Sequence, residues 1–190
     1  MTELFIDRID SAVGTLLLVS DGESLCALDY TGCEQRMLAP LRRRYGELRL
    51  RDAVDPQGFS SRIRAYFAGD LGCLNGIPVN PGGTTFQQQA WSALRTIPPG
   101  VVLSYGGMAA RLGRPAAYRA VGMANALNPI AIVIPCHRLV GASGALTGYA
   151  GGLDRKRWLL RHEGVDLMSL AGVGAAAKDG GASPLRRAGS

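Results

Sequence analysis

The stretch Ile132-Val133-Ile134-Pro135-Cys136-His137-Arg138-Leu139-Val140 decides how the rest of this chain is read. Its apolar run is rich in β-branched residues, which suit a pleated backbone, and a proline stops it. The expectation is a buried strand that delivers a cysteine, a histidine and an arginine in succession. A cysteine reacts as its thiolate, and a nearby histidine or cation makes that thiolate easier to form. Taken alone, a cysteine in an apolar run is more often an inert core residue. The residues beyond it favour chemistry. Residues 141–152, Gly-Ala-Ser-Gly-Ala-Leu-Thr-Gly-Tyr-Ala-Gly-Gly, form a small-residue loop in which backbone can approach a ligand closely. Leu153 to Gly164 then reads as a short basic helix ended by glycine.

Upstream, Val101-Val102-Leu103 reads as a short strand, with Ser104 capping a helix that contains Met108 and Leu112. Gly113-Arg114-Pro115 breaks the chain, and Ala116 to Leu127 forms a second helix, the arrangement of a helix-turn-helix. Small residues at Ala116, Ala117, Ala120, Gly122, Ala124 and Ala126 let this helix backbone come close to another surface, a packed helix included. A preceding helix runs from Thr84 or Thr85 to about Thr96, with Trp91 as a core anchor.

Residues 69–83, with Pro78, Pro81 and five glycines, mark a boundary. Before it, residues 4–30 read as a three-stranded antiparallel meander with Cys26 in the core, followed by helices over 34–45 and 56–68. The division expected is an N-terminal α/β domain over 1–80, a mostly helical domain over 84–168 and a disordered tail over 169–190.

Charge sharpens this division. Residues 1–83 hold nine Arg against eleven acids, a net −2; residues 84–168 hold nine Lys or Arg against three acids, a net +6; residues 169–190 add +2. The positive excess sits with the cysteine, as for a domain that meets a polyanion. No apolar run approaches the roughly 20 residues that span a bilayer, and the N-terminus lacks a signal-like pattern. A cytoplasmic protein with no membrane partner is expected. Four cysteines without a C-x-x-C pair and two histidines are a poor set for zinc or for a disulfide framework, so no metal is expected.

Pro135-Cys136-His137-Arg138, the glycine-tyrosine loop and His162-Glu163-Gly164 together resemble the methylated-DNA–protein-cysteine methyltransferases, the O-6-alkylguanine-DNA alkyltransferases of direct DNA repair. Ser104-Tyr105-Gly106, Arg119-Ala120-Val121-Gly122 and Asn128-Pro129 extend the match across residues 84–166. The resemblance implies a ribonuclease H-like N-terminal domain and a winged helix-turn-helix-like C-terminal one. It implies irreversible transfer of a methyl or larger alkyl group from alkylguanine in double-stranded DNA, or from O-4-alkylthymine, to Cys136, without a cofactor, by a monomer that flips the base; cooperative binding on DNA is left open. His137 and Glu163 would ionise the thiol, Tyr105 would donate to the departing base and Asn128 would brace the turn. Arg119 would take the place of the extruded base, with Tyr105, Arg114, Ala120 and Gly122 at the DNA. Tyr149, Leu139, Ala150 and Gly151 would line the pocket. Tyr118, Gly107 and Ala131 depart from the family's usual residues, and Ala131 with Gly151 implies room for larger alkyl groups.

Competing readings are a non-catalytic alkylated-DNA damage-binding protein, a helix-turn-helix regulator and a Cys-His hydrolase. Cys136 argues against the first, and a helix surface of Ala and Gly offers little base-edge readout for the second. Turnover of an ester without permanent modification of Cys136 would mark the third.

Overall fold

In the computed structural model residues 1–170 are described; Ser169 and Leu170, expected to open the disordered tail, instead end a short helix with Leu170 buried, and the rest of the expected tail lies outside the described residues. The described residues form two compact units, residues 1–84 together with 129–133, and residues 85–128 together with 134–170.

In the first unit, β1 (Thr2–Ile9), β2 (Leu16–Ser20) and β3 (Leu25–Tyr30) form the expected antiparallel meander. A fourth strand, β4 (Leu48–Asp52), pairs parallel with β1 and gives the order β3-β2-β1-β4. Helix α1 (Glu34–Tyr45) makes the crossover from β3 to β4. Every residue of β2 and β3 is buried, as in a sheet covered on both faces. Met37 and Leu41 of α1 pack with Leu4, Ile6, Leu17, Val19 and Cys26. Helix α2 (Phe59–Phe67) buries Phe59, Ile63 and Tyr66. The single helix expected over 56–68 is divided, because Gln57 and Gly58 hold positive φ and confine Pro56–Gly58 to a 3₁₀ turn.

The outer edge of β3 is covered in two places, where Leu25 pairs with Val79 and Leu28 with Ile130. The second contact corrects the strand expected at 132–134. After Ile130 the chain turns through Ala131–Val133, with Ile132 at φ 71°. A β-branched residue in the left-handed region is a rare conformation that breaks a strand. Residues 130–140 are all buried. The apolar run therefore records burial, which periodicity alone does not distinguish from a buried strand.

The second unit contains α3 (Thr85–Arg95), β5 (Leu103–Ser104), α4 (Tyr105–Arg111), α5 (Tyr118–Ala126), β6 (Leu139–Val140), α6 (Leu153–His162) and α7 (Leu167–Leu170). Ser104 caps α4 as expected, its Oγ accepting from the Gly107 amide at 2.9 Å. A Cβ on Gly107 would come 3.0 Å from the Leu103 side chain and 3.2 Å from the Ser104 hydroxyl, so a larger residue here would crowd the cap. The expected strand at 101–103 lies instead at 103–104, where β5 pairs parallel with β6. The helix expected over 116–127 begins with a 3₁₀ turn, Pro115–Ala117, because proline and Gly113 interrupt the backbone before α5. Trp91 is buried and its Nε1 donates to the Ala124 carbonyl at 2.9 Å, pinning α3 to α5.

Candidate active site

Cys136 opens a 3₁₀ turn, Cys136–Arg138, directly after Pro135, and this turn feeds β6. The pairing of β6 with β5 brings the turn into the neighbourhood of Tyr105, the first residue of α4. Cys136 is 6% exposed and His137 is fully buried. Glu163 comes directly after the last residue of α6, where the helix dipole disfavours a carboxylate, and it is buried as well. Its neighbours account for its charge. His137 Nε2 lies 2.9 Å from Glu163 Oε1, and Arg138 donates to both carboxylate oxygens, Nε to Oε2 at 2.9 Å and Nη2 to Oε1 at 2.8 Å. Arg138 Nη1 also donates to the Ile97 carbonyl.

Burial opposes ionisation of Glu163, but His137 and then Arg138 outweigh it and hold the carboxyl far below its ordinary range. Burial pushes His137 below its ordinary value, against the pull of Glu163. The consistent state is an ionised Glu163 held by the Arg138 fork and a neutral His137. A carboxylate can only accept, so the neutral ring carries its proton on Nε2 and leaves Nδ1 as a basic lone pair. Nδ1 is buried and has no hydrogen-bond partner among the described residues.

The remaining polar groups hold the loop and the turn. Asn128 Nδ2 donates to the Ile134 carbonyl at 2.8 Å, joining the two ends of the excursion through 129–133. Lys156 is fully buried and its Nζ donates to the carbonyls of Leu139, at 2.5 Å, and Thr147, at 2.8 Å. Burial lowers its pKa to about 8, opposed by an attraction to Cys136. The Tyr105 hydroxyl lies 3.4 Å from the carbonyls of both Thr147 and Gly148 and 3.5 Å from Asn125 Nδ2. Burial and then Cys136 push its pKa up.

Of the other expected pocket residues, Leu139 and Gly151 are buried, Tyr149 is half-buried and Ala150 is exposed. The Leu139 carbonyl is the one that Lys156 holds, and the Gly151 carbonyl accepts from Arg155 at 2.9 Å. Gly122 approaches the Tyr105 ring, a Cβ there lying 4.0 Å from Cδ1. Arg114, Arg119 and Ala120 are exposed. The Arg114 guanidinium lies 5.5 Å from the Phe86 ring centre and that of Arg119 lies 5.8 Å from the Tyr118 ring. The structure thus groups Cys136, His137, Glu163 and Tyr105 with the loop, and sets Arg114, Arg119 and Ala120 on the outer surface of the helix-turn-helix. An open groove between α3 and the end of α4, lined by Gln88, Gln89, Ser92, Arg111 and Arg114, shares Arg114 alone with the candidate residues.

Sequence reasoning missed Arg138 as the partner of Glu163, and missed Lys156 and Asn125 altogether. A signal was present for the last two. Each is a polar residue on the apolar stripe of its helix, Lys156 beside Leu159 and Leu160, Asn125 beside Val121 and Ala124. Among the described residues no group of three or more His, Cys, Asp or Glu could hold a metal ion, and no helix is long and apolar enough to cross a membrane.

Both units are similar to known proteins. Residues 85–165 match the family of the 6-O-methylguanine DNA methyltransferase DNA binding domain, and residues 5–81 match its ribonuclease-like domain. A methylated-DNA–protein-cysteine methyltransferase of Shigella flexneri is 46% identical over 88% of this chain and 100% of its own length. One from Mycobacterium bovis is 47% identical over 82% of this chain and 89% of its own. The crystal structure of Mycobacterium tuberculosis OGT in complex with DNA is similar at a TM-score of 0.72 and 40% identity, covering 88% of this chain and 98% of that one. Matched in both of its domains by sequence and in fold, the chain belongs to the 6-O-methylguanine DNA methyltransferase family.

Proposed function

We propose that this protein reverses alkylation of guanine in double-stranded DNA by moving the alkyl group to its own Cys136, once per molecule. The observation that carries the reading is the chain of contacts beside the cysteine: Arg138 holds Glu163, Glu163 holds His137 at 2.9 Å, and His137 is left with a buried Nδ1 that has no partner among the described residues. That nitrogen takes the Cys136 proton through a bridging water. The thiolate forms a bond to the alkyl carbon, and the electron pair of the broken carbon–oxygen bond stays with the guanine. Tyr105 gives its phenolic proton to a ring nitrogen of the departing base and regains one from solvent. The products are S-alkylcysteine and guanine. No group in the site can cleave a thioether, so the cysteine is not regenerated, and no cofactor is needed because the lesion supplies the alkyl group. The same chemistry acts on O-4-alkylthymine.

Reaching an atom inside a duplex requires the nucleotide to leave the stack. Helix α5 and the residue that follows it have a surface suited to this: Met123 is 62% and Leu127 51% exposed, with Ala120 and Arg119 also exposed. Apolar side chains and an arginine suit insertion into the minor groove, with Arg119 filling the space of the extruded base. Arg114 and other exposed arginines meet phosphates. All the groups named come from one chain, so a monomer suffices. Cysteines 26, 33, 73 and 136 are free thiols, and a reduced thiol persists in the cytoplasm, where we place the protein.

The test is a titration of a duplex bearing one O-6-methylguanine with increasing protein. Lesion loss that ends at one per protein molecule is expected. Repeated turnover, or lesions bound but unchanged, would refute single-use transfer.

A further inference from the structure

Helix α5 places a polar residue, Asn125, on its buried face, where it is 5% exposed. Its carbonyl oxygen Oδ1 is buried without a hydrogen-bond partner among the described residues, while Nδ2 lies 3.5 Å from the Tyr105 hydroxyl. The placement is firm, since the preceding residue's carbonyl is held by Trp91 and Gly122 lets the same helix pack on the Tyr105 ring. A buried carbonyl without a partner costs stability, and leucine would fill similar volume without that cost. An amide kept in spite of such a cost points to chemistry.

The neighbours of the Tyr105 hydroxyl show what that chemistry is. Thr147 and Gly148 present carbonyl oxygens, which accept, whereas Asn125 presents an N–H, which donates. The one phenolic proton lies toward the Thr147 and Gly148 carbonyls in long contacts of 3.4 Å, so the Asn125 N–H meets a lone pair of the same oxygen and does not compete for that proton. The reversed amide would set a carbonyl against the hydroxyl and claim that proton. As the proton moves to a departing base, the same N–H faces the negative charge that develops on the phenol oxygen.

We propose that Asn125 is a positioning residue for alkyl transfer, donating to the Tyr105 hydroxyl so that the phenolic proton goes to the departing base. This rests on the proposed role of Tyr105 as the proton donor to that base. Asn125 touches neither the thiol nor, in this role, the base.

The experiment compares single-turnover loss of O-6-methylguanine from a duplex in the wild type, Asn125→Leu, Tyr105→Phe and the double variant. Thermal unfolding and alkylation of Cys136 by iodoacetamide, which needs no departing base, are measured on the same proteins. Asn125→Leu is expected to slow transfer about tenfold, the size of one lost hydrogen bond. It should leave iodoacetamide alkylation unchanged and should not lower Tm. The double variant should be no slower than Tyr105→Phe. A loss that persists in full on the Tyr105→Phe background, slower iodoacetamide alkylation or a lower Tm would overturn the proposal in favour of a packing role. Unchanged transfer in Asn125→Leu with a slow Tyr105→Phe would refute the role of Asn125 alone. An undiminished Tyr105→Phe would refute the reading of Tyr105 itself.

Discussion

Cys26 and Cys136 are both buried thiols, 1% and 6% exposed, and they lie in opposite electrostatic surroundings. Cys26 sits in the sheet core of the first unit, 3.6 Å from the Ser24 carbonyl and 3.6 Å from the Tyr45 hydroxyl. Burial, with a contribution from the Asp21 carboxylate and against the pull of Tyr45, pushes its pKa up to about 11. It stays a thiol. Cys136 is succeeded by a neutral histidine and a buried arginine, and it attracts the buried Lys156. Burial alone therefore makes a thiol inert, and the fixed charges and the base beside Cys136 set it apart.

The contrast can be broken most severely at the two sulfurs. Cys136→Ala is expected to abolish alkyl transfer in a single-turnover assay while lesion binding persists. Cys26→Ala should transfer at the wild-type rate and lose only stability, by roughly 1 kcal/mol or more for the missing buried atoms. Transfer by the first variant, or loss of transfer in a folded second, would remove the distinction.

Glu163→Gln comes next. It replaces the charge that His137 and Arg138 face, and transfer should fall by roughly a hundredfold or more, the usual worth of a general base. It also leaves Arg138 buried without its counter-charge, which costs about 3–5 kcal/mol in denaturant unfolding. A variant that is destabilised but transfers at full rate would show the triad to be structural.

The pH profile sharpens the comparison without mutation. Because His137 is held below its ordinary value of 6.5, it stays neutral through neutral pH. Transfer should fall only below pH 6.5, and the stability His137 contributes is complete above 6.5 and lost as pH drops through its lower folded value. An acid limb at or above that ordinary value would mean a different protonation state.

Lys156→Met is the smallest change, removing one charge near the thiol at similar length. Iodoacetamide alkylation of Cys136 at neutral pH should slow, toward the behaviour of Cys26, because a cation that favours the thiolate is gone. No change would place the work of Lys156 in holding the Leu139 and Thr147 carbonyls alone.

The sequence was legible where a local signal acts. Ser104 caps α4 because a hydroxyl before a helix satisfies its first amides, and Gly164 ends the turn after α6 with φ 81°. The strand expected at 132–134 is a turn because continuous apolarity reports burial on all sides, which a turn docked on Leu28 also experiences. Strand β4 was missed although Leu48-Arg49-Leu50-Arg51 alternates apolar and charged residues as a strand does, because the segment is short and its pairing with β1 is long-range. Glu163 shows the same limit in the site. Read locally it is a residue at a helix end, and only the fold brings Arg138 and His137 onto it. Lys156 and Asn125 were visible as polar interruptions of apolar faces, but their partners are backbone and tyrosine groups that spacing does not reveal.

The claim at the centre is that Cys136 accepts the alkyl group, and the mass of the intact protein after incubation with a duplex bearing O-6-methylguanine tests it most directly. A gain of about 14 Da, mapped to the Cys136 peptide and saturating at one per molecule, is the result expected from thiolate attack at carbon. An unchanged mass with the lesion still bound, or a gain located on Cys26, Cys33 or Cys73, would contradict it.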